Sequence, residues 1–461
     1  MRTLFNVLSL VFFLLIGVSA CDFLEVEPVS EITSSNFFQT AGDAEAALVA
    51  CYDALQNFTY ARDVIIVSGV VSDEAVAASG GNYTRHQEFV HNSNHGNIQQ
   101  FWRNSYETIH RTLDVTEQVP TITDPALDTE TEDRIIGEAL FVRALSYFNL
   151  TRWFGPIPIV PRTTKSPEQD LLLPRSEVAE VLALVIGELE EAATLLPEEN
   201  GDRSRAERGA AQALLARVYL WRNDPGDYEL ALAACEAVRA NEGRYALADA
   251  STYAAMFAVG EQNATESIFE LSYRPDREQE GHALDEETIP AVGTRYRVRP
   301  DTVSTLRFET DDIRTAVNLG TFNDNEYIKK YETGSPELTE NRNVQDANII
   351  VLRLADVILM QAECLNELGR TQEALPLLNQ IRDRAGLAPT AAATVEEVRQ
   401  AILDERYLEL YFEGHRWFDL VRTGQVEEVI EELPSLDLIR WPVPIREIDI
   451  NPNLLPQNPG F

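Results

Sequence analysis

Lysine is almost missing from this chain: of 38 basic residues, only Lys165, Lys329 and Lys330 are not arginine. Acids number 75, and the formal charge is −37. Such a surface repels phosphates and excludes nucleic-acid binding. Dense carboxylates suit a saline medium, where they stay hydrated and their repulsion is screened. A GC-rich genome would also favour arginine, but does not account for the acid. Cysteine is scarce, at four residues. Cys51, Cys235 and Cys364 each lie in an Ala-rich helical pattern, which predicts small buried thiols and not a disulfide framework. There is no Gly-x-Ser-x-Gly elbow and no phosphate-cradling glycine loop. Beyond the first 20 residues, no run is long and apolar enough to cross a bilayer as a helix. All five tryptophans fall in or beside helical motifs, leaving the irregular stretches without one.

What is present begins with residues 1–20, a secretory signal with Arg2 at its charged start and an apolar core over Leu8–Val18. It ends Val18-Ser19-Ala20-Cys21, small residues before a cysteine, the pattern of a bacterial lipoprotein cleavage site. Cys21 is then the lipidated first residue, anchoring a soluble domain through buried methylenes. The alternative is an ordinary signal peptide followed by an incidental cysteine.

Helical patterns then recur over 43–56, 99–119, 132–153, 176–196, 206–221, 228–240, 352–368, 371–385 and 395–412. Two pairs read as tetratricopeptide-like hairpins, with small residues where antiparallel helices would touch: Ala213 and Ala216 against Ala231 and Cys235, and Ala362 against Ala374. Stacked hairpins bury a core that one pair cannot close. The fold class predicted is therefore mainly α, a helical-repeat scaffold with long irregular insertions. The regions are 1–20 signal, 21–240 N-terminal and 241–461 C-terminal, the last opening on a stretch with strand-like runs at 267–272 and 327–331.

The segment Glu405–Gly424, ERYLELYFEGHRWFDLVRTG, is the densest in aromatic and charged residues. Leu403, Tyr407, Leu410 and Tyr411 line one helix face, with Glu405 and Arg406 off it. Gly414 breaks the pattern, a short helix follows, and Gly424 caps it. Glu413 and Arg416 are spaced for a local ion pair, and His415 sits between bulky aromatics. A hydrogen-bonded polar seam in an aromatic core explains these residues better than catalysis does.

That segment resembles the C-terminal signature of the SusD/RagB family of outer-membrane nutrient-binding lipoproteins. Other stretches are similar to the family in the correct order: Phe23–Pro28, Glu138–Phe148 with Trp153–Pro158, Arg353–Glu363 with Asn379–Leu387, and Trp441–Glu447 with Asn451–Phe461. The resemblance implies a protein on the outer face of the outer membrane that does no chemistry. It would capture a glycan, or in some members a peptide, for a SusC-like TonB-dependent barrel. The helical face would pack on the barrel and the insertions would hold the ligand.

Sugar binding needs aromatic faces, amides, acids and guanidiniums. The first insertion offers Asp73, Glu74, Asn82, Tyr83, His86 and Phe89, and the second Tyr273, Arg274, Tyr296, Arg297, Phe322 and Tyr327. Lack of tryptophan there speaks against a long neutral glucan. The run Arg295–Arg299 would suit an acidic sugar or a peptide carboxylate. His86, His91 and His95 have spacings that could ligate zinc on a helix, but their polar neighbours argue for a loop. Asp324 and Glu326, or Asp311 and Asp312, would be the oxygen donors if calcium were bound, although no EF-hand pattern is present; otherwise no cofactor is expected. Asp73 and Glu74 adjoin, so they do not make the facing pair of a glycosidase. A scaffold that binds only protein is the competing reading, and the long insertions speak against it. Replacing Cys21→Ala should release soluble protein with an unchanged denaturation midpoint. Loss of folding would mean that the N-terminus is structural.

Overall fold

The computed structural model describes residues 37–56, 60–78, 80–163, 172–241, 243–258, 264–273, 284–290, 295–332 and 347–461. The signal, Cys21 and Arg274 lie outside these. The long helices are α1 (Ala41–Gln56), α2 (Gly96–Gln118), α3 (Thr129–Phe154), α4 (Val178–Leu195), α5 (Arg208–Arg222) and α6 (Asp227–Ala240). After the second insertion come α7 (Leu354–Glu367), α8 (Thr371–Arg384), α9 (Val395–Glu409) and the short α10 (Arg416–Thr423). Each helix from α1 to α9 packs on the next in sequence. That includes α6 against α7, although more than a hundred residues separate them in sequence. The stack is thus continuous and the second insertion loops out of it, as the fold class predicted.

Local chemistry sets the helix ends. Asp128 caps α3, its side chain accepting from the Thr131 amide. Thr394 and Glu397 form a reciprocal capping box on α9. Gly424 ends α10 in a left-handed conformation, as its position in the sequence suggested. The small residues expected between helices, Ala213, Ala216, Ala231, Cys235, Ala362 and Ala374, are all fully buried. The three described cysteines are buried free thiols.

Among the described residues, regular structure in the insertions is sparse. β1 (Ala75–Ala77) pairs with β3 (Val298–Pro300), and β4 (Leu319–Phe322) with β5 (Asn325–Ile328), all antiparallel. Asn323 and Asp324, both at positive φ, make the tight turn between the last two. β2 (Ser267–Leu271) pairs with β6 (Ile349–Arg353), joining the start and end of the second insertion beside the stack.

Buried charge holds this insertion to the scaffold. Arg353, 2% exposed, donates to Glu409, to Glu413 (Nε–Oε2 2.7 Å) and to Glu266 (Nη1–Oε1 2.7 Å). Arg314, fully buried, binds Asp312 and reaches Glu405 at 2.6 Å and Glu409 at 3.1 Å. Lys330 donates to Glu413 at 2.6 Å and to the Tyr411 carbonyl at 2.7 Å. Burial opposes the charge on Glu409, but Arg384, Arg353 and Arg314 outweigh it and hold the carboxyl well below its usual range.

Two expectations change here. Glu405 and Arg406, placed off the apolar face of α9, are both buried, because buried partners compensate their charges. Glu413 and Arg416 do not pair with each other. Glu413 turns to Lys330 and Arg353, and Arg416 to Asp73. The polar seam is nevertheless present and densely hydrogen-bonded.

Gly414 sits at φ +83°, and a Cβ there would lie 2.6 Å from the Val64 carbonyl oxygen. Gly414→Ala should cost roughly 2–3 kcal/mol of stability, from backbone strain and this contact. A guanidinium denaturation midpoint equal to wild type would contradict it.

Candidate functional site

A cleft of about 570 Å³ opens between the insertions and the far end of the stack. One wall is Val70–Asp73 with Ala75, Val76 and Gln87 from the first insertion, joined by Asp301, Val303 and Arg307 from the second. The other wall is Gln400 and Asp404 of α9, Arg416 of α10, Gln425 and residues 428–432.

Asp73 organises its floor. Arg416 donates Nε to Oδ1 at 2.7 Å and Nη2 to Oδ2 at 2.9 Å, and Arg307 reaches Oδ2 at 2.8 Å. Both guanidiniums also lie over the Tyr407 ring, at 4.3 Å (Arg307) and 5.0 Å (Arg416), while Tyr407 donates its hydroxyl to the Asp73 carbonyl. These groups are fixed before any ligand arrives. Asp301 caps the short helix Thr302–Arg307 through the Val303 amide, which places Arg307. On the opposite wall, Gln425 donates to Gln400, and Gln400 to Asp404 at 2.9 Å.

The residues singled out in the insertions divide. Asp73 lines the cleft. Tyr296 and Phe322 are partly exposed at the neighbouring hairpin, where Tyr296, at φ +39°, donates its hydroxyl to the Glu326 carbonyl. Asn82 is exposed and donates to Asn97. The others do not form a ligand surface. Tyr83 is buried with the Arg297 guanidinium over its ring at 5.1 Å, and Arg297 is also paired with Glu287. Tyr273 and Tyr327 are buried, and so is Phe89, packed near Trp417. Apolar burial wins over exposure for Tyr83, Phe89 and Tyr273 because they join the core that the insertions share with the scaffold. In the arginine run, Arg295 and Arg297 are already committed to Glu286 and Glu287.

His86, His91 and His95 are buried together, the His86 ring 4.4 Å from His95, 5.2 Å from His91 and 5.3 Å from Trp441. Burial pushes His91 and His95 down to about 4, so both rings are neutral. Among the described residues, no three His, Cys, Asp or Glu side chains are placed to hold a metal ion. Asp312, named for calcium, is taken by Arg314.

Sequence reasoning missed Arg307, Asp301, Gln400, Asp404 and Gln425. A signal existed for one pair: Gln400 and Asp404 are four apart, an exposed polar stripe on α9 alongside the buried Leu403 and Tyr407.

Comparison with known proteins agrees with this architecture. A SusD family profile matches residues 314–433, and a second, described as starch-binding and associating with the outer membrane, matches 22–220. The chain belongs to the SusD/RagB family. A SusD-like protein of Formosa agariphila is 29% identical over 98% of both chains. A laminarin-binding SusD-like protein shares the fold with a TM-score of 0.80, at 23% identity over 92% of this chain and 100% of that one. Surface glycan-binding protein A of Bacteroides fluxus does so at 0.81, with 20% identity and the same coverage. This SusD-family chain thus has the tetratricopeptide-like helical scaffold and belongs to a group described as binding proteins.

Behind Asp73, Glu74 is fully buried. Its Oε1 accepts from the Phe412 amide, while Oε2 has no partner among the described residues. Desolvation pushes it up to about 8 from an ordinary 4.5. The folded state keeps a proton that the unfolded chain gives up, so this contribution to stability is full below about pH 4.5 and is lost as pH rises through about 8. Glu74→Gln should flatten the fall in melting temperature between about pH 5 and 8. A slope identical to wild type would contradict a protonated Glu74.

Proposed function

We propose that this protein captures a neutral glycan in the Asp73 cleft. It would do so at the outer face of the outer membrane, anchored through lipidated Cys21, and pass the glycan to a SusC-like TonB-dependent transporter. The lining of the cleft carries this reading: six carboxylates, two guanidiniums and three carboxamides around one opening. Those groups serve vicinal hydroxyls, and the Asp73–Arg307–Arg416 arrangement is held without ligand, which limits the entropy lost on binding. The excess of carboxylates disfavours an acidic sugar or a peptide carboxylate. Similarity in fold to laminarin-binding and surface glycan-binding proteins supports the substrate class. The family is described by binding and not by catalysis, which supports a role without chemistry.

Calorimetry of the protein truncated after Cys21, against laminarin and starch oligosaccharides and a peptide panel, tests this. Arg307→Ala and Gln425→Ala should each weaken glycan binding by about tenfold or more. Binding that survives both changes but is lost on Tyr296→Ala would move the site to the hairpin. Co-purification of a TonB-dependent barrel with the membrane-anchored protein tests the handover, and its repeated absence would count against that step.

A further inference from the structure

Residues of α3, α5, α7, α9 and α10 line a small cavity of about 20 Å³. Arg152, Arg217, Arg406 and Arg422 all line it. Three carboxylates answer these four cations. Asp356 takes Arg217 and Arg406, each at 2.7 Å, Asp419 takes Arg406 and Arg422, and Glu363 takes Arg422. Arg152 pairs with no carboxylate among the described residues. Its guanidinium stacks on Phe418 at 3.7 Å and on Phe148 at 4.6 Å, and Nη2 donates to Asn149. It is only 8% exposed, and its Nε is buried without an acceptor. The Nε of Arg217 is likewise buried without an acceptor. His415, also in the lining, adds no compensating negative charge, and burial pushes it down to about 3, which keeps it neutral.

An uncompensated guanidinium in an aromatic pocket is costly. A cavity of this size admits one water-sized body. Water would satisfy a donor but not the charge. Sulfate, phosphate or a carboxylate would not fit. From the orphan donors, the excess cation and the volume, we infer that the cavity is a binding site for a single halide ion, chloride in a saline medium, held by Arg152 and Arg217. This site is separate from the glycan cleft, so the inference stands or falls independently of the proposed function. A bound halide would be a structural ion, tying the end of α3 to α5 and α10.

Crystals of the intact soluble domain, grown with bromide in place of chloride, test it directly. The expected result is a bromine anomalous peak within hydrogen-bond reach of Arg152 and Arg217. Density there without anomalous signal, meaning water alone, would overturn it. In solution, the melting midpoint of wild type should rise with the logarithm of halide concentration at ionic strength held constant with methanesulfonate. That rise should vanish in Arg152→Met. An equal rise in both proteins would also overturn the inference. Should Arg152→Met not fold, the bromide crystal decides alone.

Discussion

The fold depends on carboxylates buried where the stack meets the second insertion. Glu405 and Glu409 of α9, with Glu413 just beyond it, receive Arg314, Lys330 and Arg353 from three places along the insertion. The insertion also sends Phe269, Phe308, Ile328 and Tyr331 into the core it shares with the scaffold, but its regular structure is slight. Among the described residues its strands are three to five residues long and form only pairs, and such ribbons are marginal alone. In a low-dielectric interior, removing one member of an ion-pair network leaves its partner uncompensated, a far larger penalty than the net worth of the pair. The network therefore acts as an all-or-none latch between insertion and scaffold. Arginine suits it because a planar fork can serve two or three carboxylates at once. One of the chain's few lysines, Lys330, is spent there as well.

The same latch shapes the cleft. From the same α9–α10 segment, Arg416 and Tyr407 grip Asp73, while Tyr411 donates to the Glu74 carbonyl. Ser304, from the second insertion, donates to that same carbonyl. Both insertions thus meet on one densely charged segment, and the walls of the cleft sit where buried charge fixes them. The acidic exterior and the arginine-paired interior are two sides of one composition, with guanidiniums turned inward to neutralise acid and the surplus acid left in solvent.

Much of this architecture was legible in the sequence. The helical periodicities, the alanines between hairpins and the glycine caps each act locally, so spacing alone revealed them. The polar seam of 405–424 was legible as a seam. Its partners were not. Glu413 and Arg416 look like a local pair, yet Glu413 is matched 60 residues away at Arg353, and Arg416 pairs with Asp73. Nothing in a local pattern encodes such long-range choices. The lining of the candidate cleft was less legible still. Tyr83, His86 and Tyr273 have the right chemistry for sugars, but a loop sequence does not say which side faces the core, and the core took them. Gln400, Asp404 and Gln425 lie on scaffold helices or their edges, where a polar residue ordinarily means only solvent.

Amide hydrogen exchange of wild type and Glu409→Gln would examine the latch most directly. If buried charge holds the insertion, this near-isosteric change should speed exchange in β2, β6 and residues 312–331, while α1 to α6 keep their protection. An even loss of protection across the molecule, or none at all, would contradict a latch and make the network only one part of a uniformly cooperative core.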